Sequence, residues 1–185
     1  MVVQEAQPQL REALKRVATA LKAGGLPFAL AGSYALFARG GPESTHDVDF
    51  MIAESDAEKA ASLLAEAGLA VRQPPEDWLF KIDTDGVVVD VLYRAAGAPM
   101  RPDLLEHSDV MEVLSVQMPV LWATDVVAGK LRAMTEHYCD FGPLLAGVRA
   151  VREQIDWERV RREVGEHDFG VAFLCLVDRL GITAT

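Results

Sequence analysis

The chain has 185 residues, half of them apolar, which is enough to bury one substantial core. Its 28 acidic residues against 18 lysines and arginines give a net charge of −10 and a pI of about 4.8. This balance disfavours a nucleic-acid partner, because no basic stripe is present to follow a phosphate backbone. The excess of acid either keeps the protein soluble, which is the simpler interpretation, or attracts a cationic small molecule.

Three sequence features bear on where the protein resides. The N-terminus lacks the basic start and apolar middle of a secretory signal. The longest strongly apolar stretch, 169–177, is too short to span a bilayer. Cys139 and Cys175 have no CxxC spacing, so they indicate neither a disulfide framework nor a zinc site. We therefore expect a cytoplasmic protein with reduced thiols and no membrane contact.

The first part of the chain alternates between helical and extended patterns. Apolar residues recur at helical spacing from Leu10 to Leu21, and Gly24-Gly25 predicts the end of this first helix. The elements predicted after it are a strand at 28–31, a short helix at 34–38, a strand at 47–53, a helix at 57–67 capped by Asp56, and a strand at 69–72.

Two β-rich runs follow, at 78–82 and 87–93, and their junction at Asp85-Gly86 predicts a hairpin. A linker rich in Ala, Gly and Pro at 95–102 leads to an extended stretch around 111–120. The remainder is predicted to be helical, with an apolar stripe of Val127, Leu131, Met134 and Tyr138, a helix at 144–151, and caps at Thr124, Asp156 and Asp168.

These elements predict an α/β (α+β) fold, in which a small mixed β-sheet flanked by helices is followed by a helical C-terminal part. We expect two units in the chain. Residues 1–98 form the core with its N-terminal helix, and residues 99–185 form an extended stretch and a helical subdomain packed on that core.

Asp47 and Asp49 are the first candidate functional residues. Side chains two positions apart on a strand project from the same face, so the two carboxylates repel unless one is protonated or a cation lies between them. A divalent ion such as Mg²⁺, which takes oxygen ligands, resolves this conflict. The alternative is a pair of solvated aspartates at the exposed start of the strand.

Asp90 is a third acid, within the apolar run Val87 to Leu92. A carboxylate in such a run must be paired, hydrogen-bonded, metal-bound or at a cleft, because burying it without a partner costs several kcal/mol. One interpretation is that Asp90 joins the other two acids. The other is an ion pair with a nearby arginine or lysine.

Gly32-Ser33 lies at a predicted strand-to-helix turn. Such a turn exposes backbone N–H groups at a helix start, where phosphate binds readily, and glycine permits a close approach. Ordinary turn chemistry is the alternative.

Together, Gly32-Ser33, the Asp47-Val48-Asp49 motif and the later Asp90 resemble the nucleotidyltransferase superfamily typified by DNA polymerase β. The motif arrangement is most similar to that of the small members, which include aminoglycoside, lincosamide and abortive-infection-type toxin nucleotidyltransferases. The resemblance implies the minimal nucleotidyltransferase fold. It also implies that Asp47, Asp49 and Asp90 hold two Mg²⁺ ions, that Asp90 takes the acceptor's proton, and that Gly32 and Ser33 cradle the triphosphate of an NTP.

Four residues outside these motifs are further candidates. Toxin-like members carry a lysine on a helix of the second half followed by an aspartate, which Lys130 and Asp140 match here. Lys130 and Arg39 are candidates to contact a phosphate, and His46 to orient Asp47. The alternatives are a surface lysine, a solvated arginine, a loop histidine and, for Asp140, a helix cap.

The predicted function is Mg²⁺-dependent transfer of a nucleoside monophosphate from an NTP to a hydroxyl group, with release of pyrophosphate. The acceptor is a small molecule or else tRNA, and the net charge favours the small molecule. The alternative is a non-catalytic module that binds a nucleotide or acts through protein contacts with an antitoxin. That alternative predicts the loss of an acid or of the Gly-Ser turn, and all of these residues are present.

Overall fold

The computed structural model describes residues 3–84, 86–94 and 103–183. The helices in this part of the chain are α1 (Val3–Ala23), α2 (Gly32–Ala38), α3 (Ala57–Glu66), α4 (Ala123–Arg132), α5 (Phe141–Val151), α6 (Trp157–Val164) and α7 (Asp168–Arg179). The strands are β1 (Phe28–Ala31), β2 (Val48–Ile52), β3 (Ala70–Arg72), β4 (Leu79–Thr84), β5 (Val87–Leu92), β6 (Ser108–Val113) and β7 (Val116–Leu121).

The seven described strands form one mixed sheet in the order β3-β4-β5-β2-β1-β7-β6. The pairs β2–β5 and β1–β7 are parallel, and the remaining neighbours are antiparallel. A mixed sheet flanked by helices confirms the predicted fold class. The strands β6 and β7 follow residue 99 in the chain but extend the same sheet, because β7 pairs with β1.

One face of the sheet packs on the first helix. Leu10, Leu14, Val17 and Leu21 are completely or almost completely buried, which confirms the amphipathic pattern of α1. On β2 the side chains of Val48, Phe50 and Ile52 are fully buried, while Asp49 and Met51 on the other face remain half-buried. The alternation predicted for this strand is therefore confirmed, and it directs Asp49 away from the core.

The predicted hairpin and the predicted extended stretch differ in outcome. The hairpin β4–β5 is confirmed, with Thr84 opposite Val87, although Asp85 of its turn lies outside the described residues, as does the predicted linker at 95–102. The extended stretch predicted around 111–120 is instead a second hairpin, β6–β7. Its turn is formed by Leu114 and Ser115, both at positive φ, where glycine or asparagine is the usual signal.

Two of the predicted helix caps are confirmed. The Asp140 carboxylate accepts a hydrogen bond from the Gly142 N–H at 2.9 Å, and the Asp156 carboxylate accepts one from the Arg159 N–H at 2.8 Å. For Asp140, the cap supports the alternative that competed with a role in the site.

Three other caps and one stripe residue were predicted wrongly. Asp56 ends a 3₁₀ turn with helical dihedral angles and makes no capping bond. The Thr124 hydroxyl accepts from the Asp156 N–H, and His167 rather than Asp168 caps the last helix. Tyr138 is 80% exposed because α4 ends at Arg132, before the stripe reaches it. No helix among the described residues has the length and apolar character needed to cross a bilayer.

Candidate functional site

A row of charged side chains crosses neighbouring strands on the sheet face opposite α1. The strand register places Asp49 of β2 beside Asp90 of β5, and Asp90 beside Lys81 of β4. Adjacent strands lie about 4.8 Å apart, so side chains in direct register on one face are in contact range. The hydrophobic residues that alternate with this row, such as Phe50 and Val91, are fully buried on the other face. Two of the three predicted acids are thus neighbours.

The Asp49 carboxylate also lies against the start of α2. Ala31, the last residue of β1, is in register with Asp49, which brings Gly32 next to its side chain. A Cβ atom built on Gly32 would be 1.7 Å from Asp49 Oδ2, and Gly32 has a φ of +58°. Only glycine fits this position, because both the conformation and the space exclude a side chain. The structure therefore brings the Gly-Ser turn and the acid motif together.

The pKa of Asp49 is raised to about 7, first by burial and next by the neighbouring Asp47 carboxylate. The Lys130 ammonium opposes this shift, Asp90 adds to it, and Lys81 opposes it. All four groups therefore lie near enough to act on the Asp49 carboxyl. Asp49 is the electrostatic centre of the cluster that these five side chains form.

Lys130 reaches this cluster from the last turn of α4, where it is half-buried. Its neighbours on the helix, Val127 and Leu131, are fully buried. A lysine stem beside such a stripe packs on apolar surface while its ammonium extends toward polar groups. The Lys130 charge therefore acts on Asp49, and its contact with a phosphate stays a prediction.

Lys81 is the member of the cluster that the sequence analysis missed. Its Nζ donates hydrogen bonds to both carboxylate oxygens of Asp90, at 2.8 and 2.9 Å. The Lys81 and Asp90 side chains are 25% and 18% exposed, so the pair is partly shielded from water. The ion pair considered for Asp90 therefore exists, in addition to the proximity of Asp90 to Asp49.

The loop that carries Asp47 is anchored at Glu43. Arg11 of α1 donates two hydrogen bonds to the Glu43 carboxylate, at 2.7 and 2.6 Å, and the buried Tyr34 hydroxyl donates a third. These contacts lower the pKa of Glu43, and burial raises the pKa of Tyr34. His46 is exposed on the same loop, and its backbone N–H donates to the Ser44 hydroxyl.

Arg39 is held within the fold by hydrogen bonds to neighbouring strands. Its guanidinium donates hydrogen bonds to the backbone carbonyls of Val120 and Leu121 and to the Asp109 carboxylate, at 2.9, 2.7 and 2.8 Å. The side chain is 8% exposed. These contacts join α2 to the hairpin β6–β7. The guanidinium of Arg39 is therefore engaged in the fold, and we do not include Arg39 among the proposed phosphate contacts.

The carboxylates of this cluster suit one divalent cation that is bound partly by water and substrate. They do not form a metal site made of protein ligands alone. Among residues 3–84, 86–94 and 103–183, no three His, Cys, Asp or Glu side chains converge closely enough to hold a metal ion. Asp47 and Asp49 nevertheless offer two mutually repelling carboxylates. Mg²⁺ typically takes one or two carboxylates and completes its shell with water and substrate phosphates. These two residues are the ones that could hold it.

Comparison with solved structures identifies the fold. The antibiotic-resistance factor ANT(2″)-Ia matches with a TM-score of 0.56 at 12% identity, over 94% of both chains. The lincosamide antibiotic adenylyltransferase LnuA matches with a TM-score of 0.54 at 9% identity, over 76% of this chain and 96% of its own. An antigenic nucleotidyltransferase-like protein from Paracoccidioides brasiliensis gives 0.56 at 14% identity, over 94% and 89%.

At the sequence level no family model matches the chain, and no curated protein matches it either. The TM-scores of 0.54–0.56 show a shared fold, and identities of only 9–14% leave the activity open. The chain therefore shares its fold with these solved structures, which include nucleotidyltransferase-like proteins. This confirms, at the level of the fold, the resemblance carried by Gly32-Ser33, Asp47, Asp49 and Asp90.

Proposed function

We propose that the protein transfers a nucleoside monophosphate from an NTP to a hydroxyl group of an acceptor and releases pyrophosphate. The observation that supports this most is the position of the Asp49 carboxylate. It lies between Gly32 at the start of α2 and Asp90 on β5, within range of the charges of Asp47 and Lys130. A glycine turn, paired acids and a cation grouped around the Asp49 carboxylate suit the binding of a metal–triphosphate complex.

Asp47 and Asp49 are the proposed ligands of Mg²⁺. When bound there, the ion would neutralise charge on the transferred phosphate and on the departing pyrophosphate. The negative charge of two carboxylates would in turn hold the ion, whose remaining positions are left for water and phosphate oxygens. The half-buried setting of Asp49 strengthens this attraction relative to the same charges in water.

Gly32, Ser33 and Lys130 are the proposed contacts of the triphosphate. Gly32 and Ser33 are half-buried beside Asp49, so their backbone lies next to the proposed metal. The Lys130 ammonium supplies a positive charge from α4. A phosphate held between these groups would be fixed in position relative to the acceptor, which is how such enzymes obtain much of their rate.

In the proposed reaction, the acceptor oxygen forms a bond to the α-phosphorus while the bond from that phosphorus to the pyrophosphate oxygen breaks. The hydroxyl proton passes to a carboxylate oxygen of Asp90, which is the acid beside the metal ligands on β5. Pyrophosphate leaves with the electron pair of the broken bond.

A small hydroxylated molecule is the proposed acceptor class. The net charge of −10 repels a polyanion such as tRNA and favours a neutral or cationic compound. Two of the structurally similar proteins are known in complex with antibiotics or their adenylylated forms, LnuA with lincomycin and ANT(2″)-Ia with adenylyl-2″-tobramycin. A cytoplasmic location and an antitoxin partner stay predictions from sequence.

The test is incubation with Mg²⁺, each of four α-³²P-labelled NTPs, and pools of hydroxylated compounds or tRNA. Label should pass to a small compound with the wild type and be lost with Asp49→Asn, which keeps the shape but removes the charge. Asp77→Asn, which alters an exposed carboxylate on the surface, is the matched control and should keep the activity. Tight NTP binding without any labelled product would indicate a non-catalytic binding module instead.

A further inference from the structure

We propose that Lys81 takes the place of a second metal ion at Asp90, so that the site binds one divalent cation, held by Asp47 and Asp49. This inference rests on the proposed function and deepens it. It departs from the expectation of two ions that the superfamily resemblance implies. Lys81 is in this view a positioning residue that acts through Asp90.

The first step of the argument is the fixed geometry of the pair. The hairpin β4–β5 holds Lys81 and Asp90 in direct register, so the contact does not depend on a mobile loop. Lys81 Nζ lies within 2.9 Å of both Asp90 oxygens. An ammonium in contact with both oxygens occupies the region in front of the carboxylate where a metal ion would bind.

The second step is that, among the described residues, the other carboxylate near Lys81 on the same face is already paired with a different cation. Asp83, two positions along β4 and so on the same face, accepts two hydrogen bonds from Arg72, at 2.9 and 3.2 Å. Arg72 is itself in register with Lys81 on β3. Each cation of this row therefore has its own carboxylate, and that of Lys81 is Asp90.

The third step concerns the charge that a second ion would meet. A divalent ion ligated by Asp90 would lie within a few ångströms of the Lys81 ammonium, in a setting where both side chains are largely shielded from water. Repulsion between like charges at that distance is strong. The single ion is thus favoured at Asp47 and Asp49.

The experiment counts the ions that the full chain binds. Mn²⁺ replaces Mg²⁺ and is measured by electron paramagnetic resonance, in the presence of the α,β-methylene analogues of ATP, GTP, CTP and UTP. We expect one Mn²⁺ per bound nucleotide in the wild type. Lys81→Met, which keeps the length of the side chain and removes the charge, should free Asp90 and raise the count to two.

Three variants sharpen this count. Lys81→Arg should retain one ion, because a guanidinium also pairs with both oxygens of a carboxylate. Lys59→Met, on the exposed side of α3, is the matched control and should leave the count at one. Asp90→Asn should also leave it at one, whereas a two-ion site would lose an ion with this change. The last variant tests the inference even where Lys81→Met does not fold.

Two results would overturn the inference and leave the proposed function intact. They are two ions per bound nucleotide in the wild type, or one ion in a folded Lys81→Met variant. A chain that binds none of the four analogues would contradict the proposed function, and the inference would fall with it. Nucleotide binding is measured in the same samples, so the two failures are distinguishable.

Discussion

The central strands β1 and β2 lie between two hairpins, β4–β5 beside β2 and β6–β7 beside β1. Both hairpins contain a carboxylate paired with a cation. In the first, Asp90 and Lys81 lie in the open row next to Asp49. In the second, Asp109 pairs with Arg39, which also donates to two backbone carbonyls and is almost completely buried.

This difference separates a reactive arrangement from a structural one within a single sheet. An arginine that donates to backbone carbonyls stabilises the junction of α2 with the sheet. Few of its N–H groups then remain to bind a substrate. A lysine–aspartate pair that lies beside further acids is different, because the negative charge of those acids can attract a cationic ligand. The neighbours of a pair, more than the pair itself, indicate its role.

Gly32→Ala should have the largest effect on the site. Its Cβ would overlap Asp49 Oδ2, and alanine is strained at the φ of +58°. We expect a loss of about 2–4 kcal/mol of unfolding free energy and at least a roughly 100-fold fall in transfer, because Asp49 must move. Urea denaturation and the labelling assay measure the two effects.

Gly25→Ala is the control for this substitution, since Gly25 has a similar φ of +66° and no atom within 4 Å of the added Cβ. It should cost about 1 kcal/mol and leave transfer unchanged. Equal activity of the two variants would mean that Asp49 does not need its place beside Gly32.

Arg39→Met tests the structural side of the comparison. It removes three hydrogen bonds and leaves the carbonyls of Val120 and Leu121 without this donor, so we expect a loss of about 2–4 kcal/mol in urea denaturation. The KM for NTP of the folded fraction should not change. A KM that rises strongly would restore Arg39 as a phosphate contact. Arg149→Met, at an exposed position of α5, provides the baseline.

Lys130→Met tests the reactive side. Loss of a charge-assisted contact to phosphate is expected to cost about 1.5–3 kcal/mol of binding, which raises the KM for NTP roughly 10- to 100-fold. The matched variant is Lys22→Met, whose ammonium donates to the Gln117 carbonyl beside the second hairpin. It should leave KM unchanged. If both variants behave alike in steady-state kinetics, Lys130 does not contact the triphosphate.

The two hairpins also show what the sequence could predict. Asp85-Gly86 is a strong two-residue turn signal, and pairing Thr84 with Val87 across it would have placed Lys81 opposite Asp90. The strand register, and with it the pairing of Lys81 with Asp90, is therefore predictable from this turn. The turn at Leu114 and Ser115 carries no such signal, so β6 and β7 were predicted as one stretch.

The acids themselves could be found from sequence because a charge inside an apolar strand has few explanations, as at Asp90. The role of Arg39 could not be found in this way. Two of its three partners are backbone carbonyls of β7, more than 80 residues away, and backbone acceptors leave no trace in residue identities. The cap predicted at Thr124 was wrong for a related reason, since its hydroxyl binds the Asp156 N–H.

The pH dependence of metal binding should give the smallest effect. The pKa of Asp49 is about 7 in the metal-free protein, above the ordinary aspartate value of 3.8, so the folded state holds a proton that the unfolded state has lost. Stability without metal should therefore fall as pH rises from about 4 to about 7. Mg²⁺ binds the ionised carboxylate and must displace that proton below pH 7.

From pH 8 to pH 6 the ionised fraction of Asp49 falls about tenfold, which corresponds to about 1.4 kcal/mol of apparent binding free energy. We expect the Mg²⁺ concentration that half-saturates the rise in Tm to increase by the same factor. In Asp49→Asn the remaining Mg²⁺ response should lose this pH dependence. A wild-type midpoint that is equal at both pH values would contradict Asp49 as a ligand, because the ligand at the centre of the cluster must lose its proton to bind the ion.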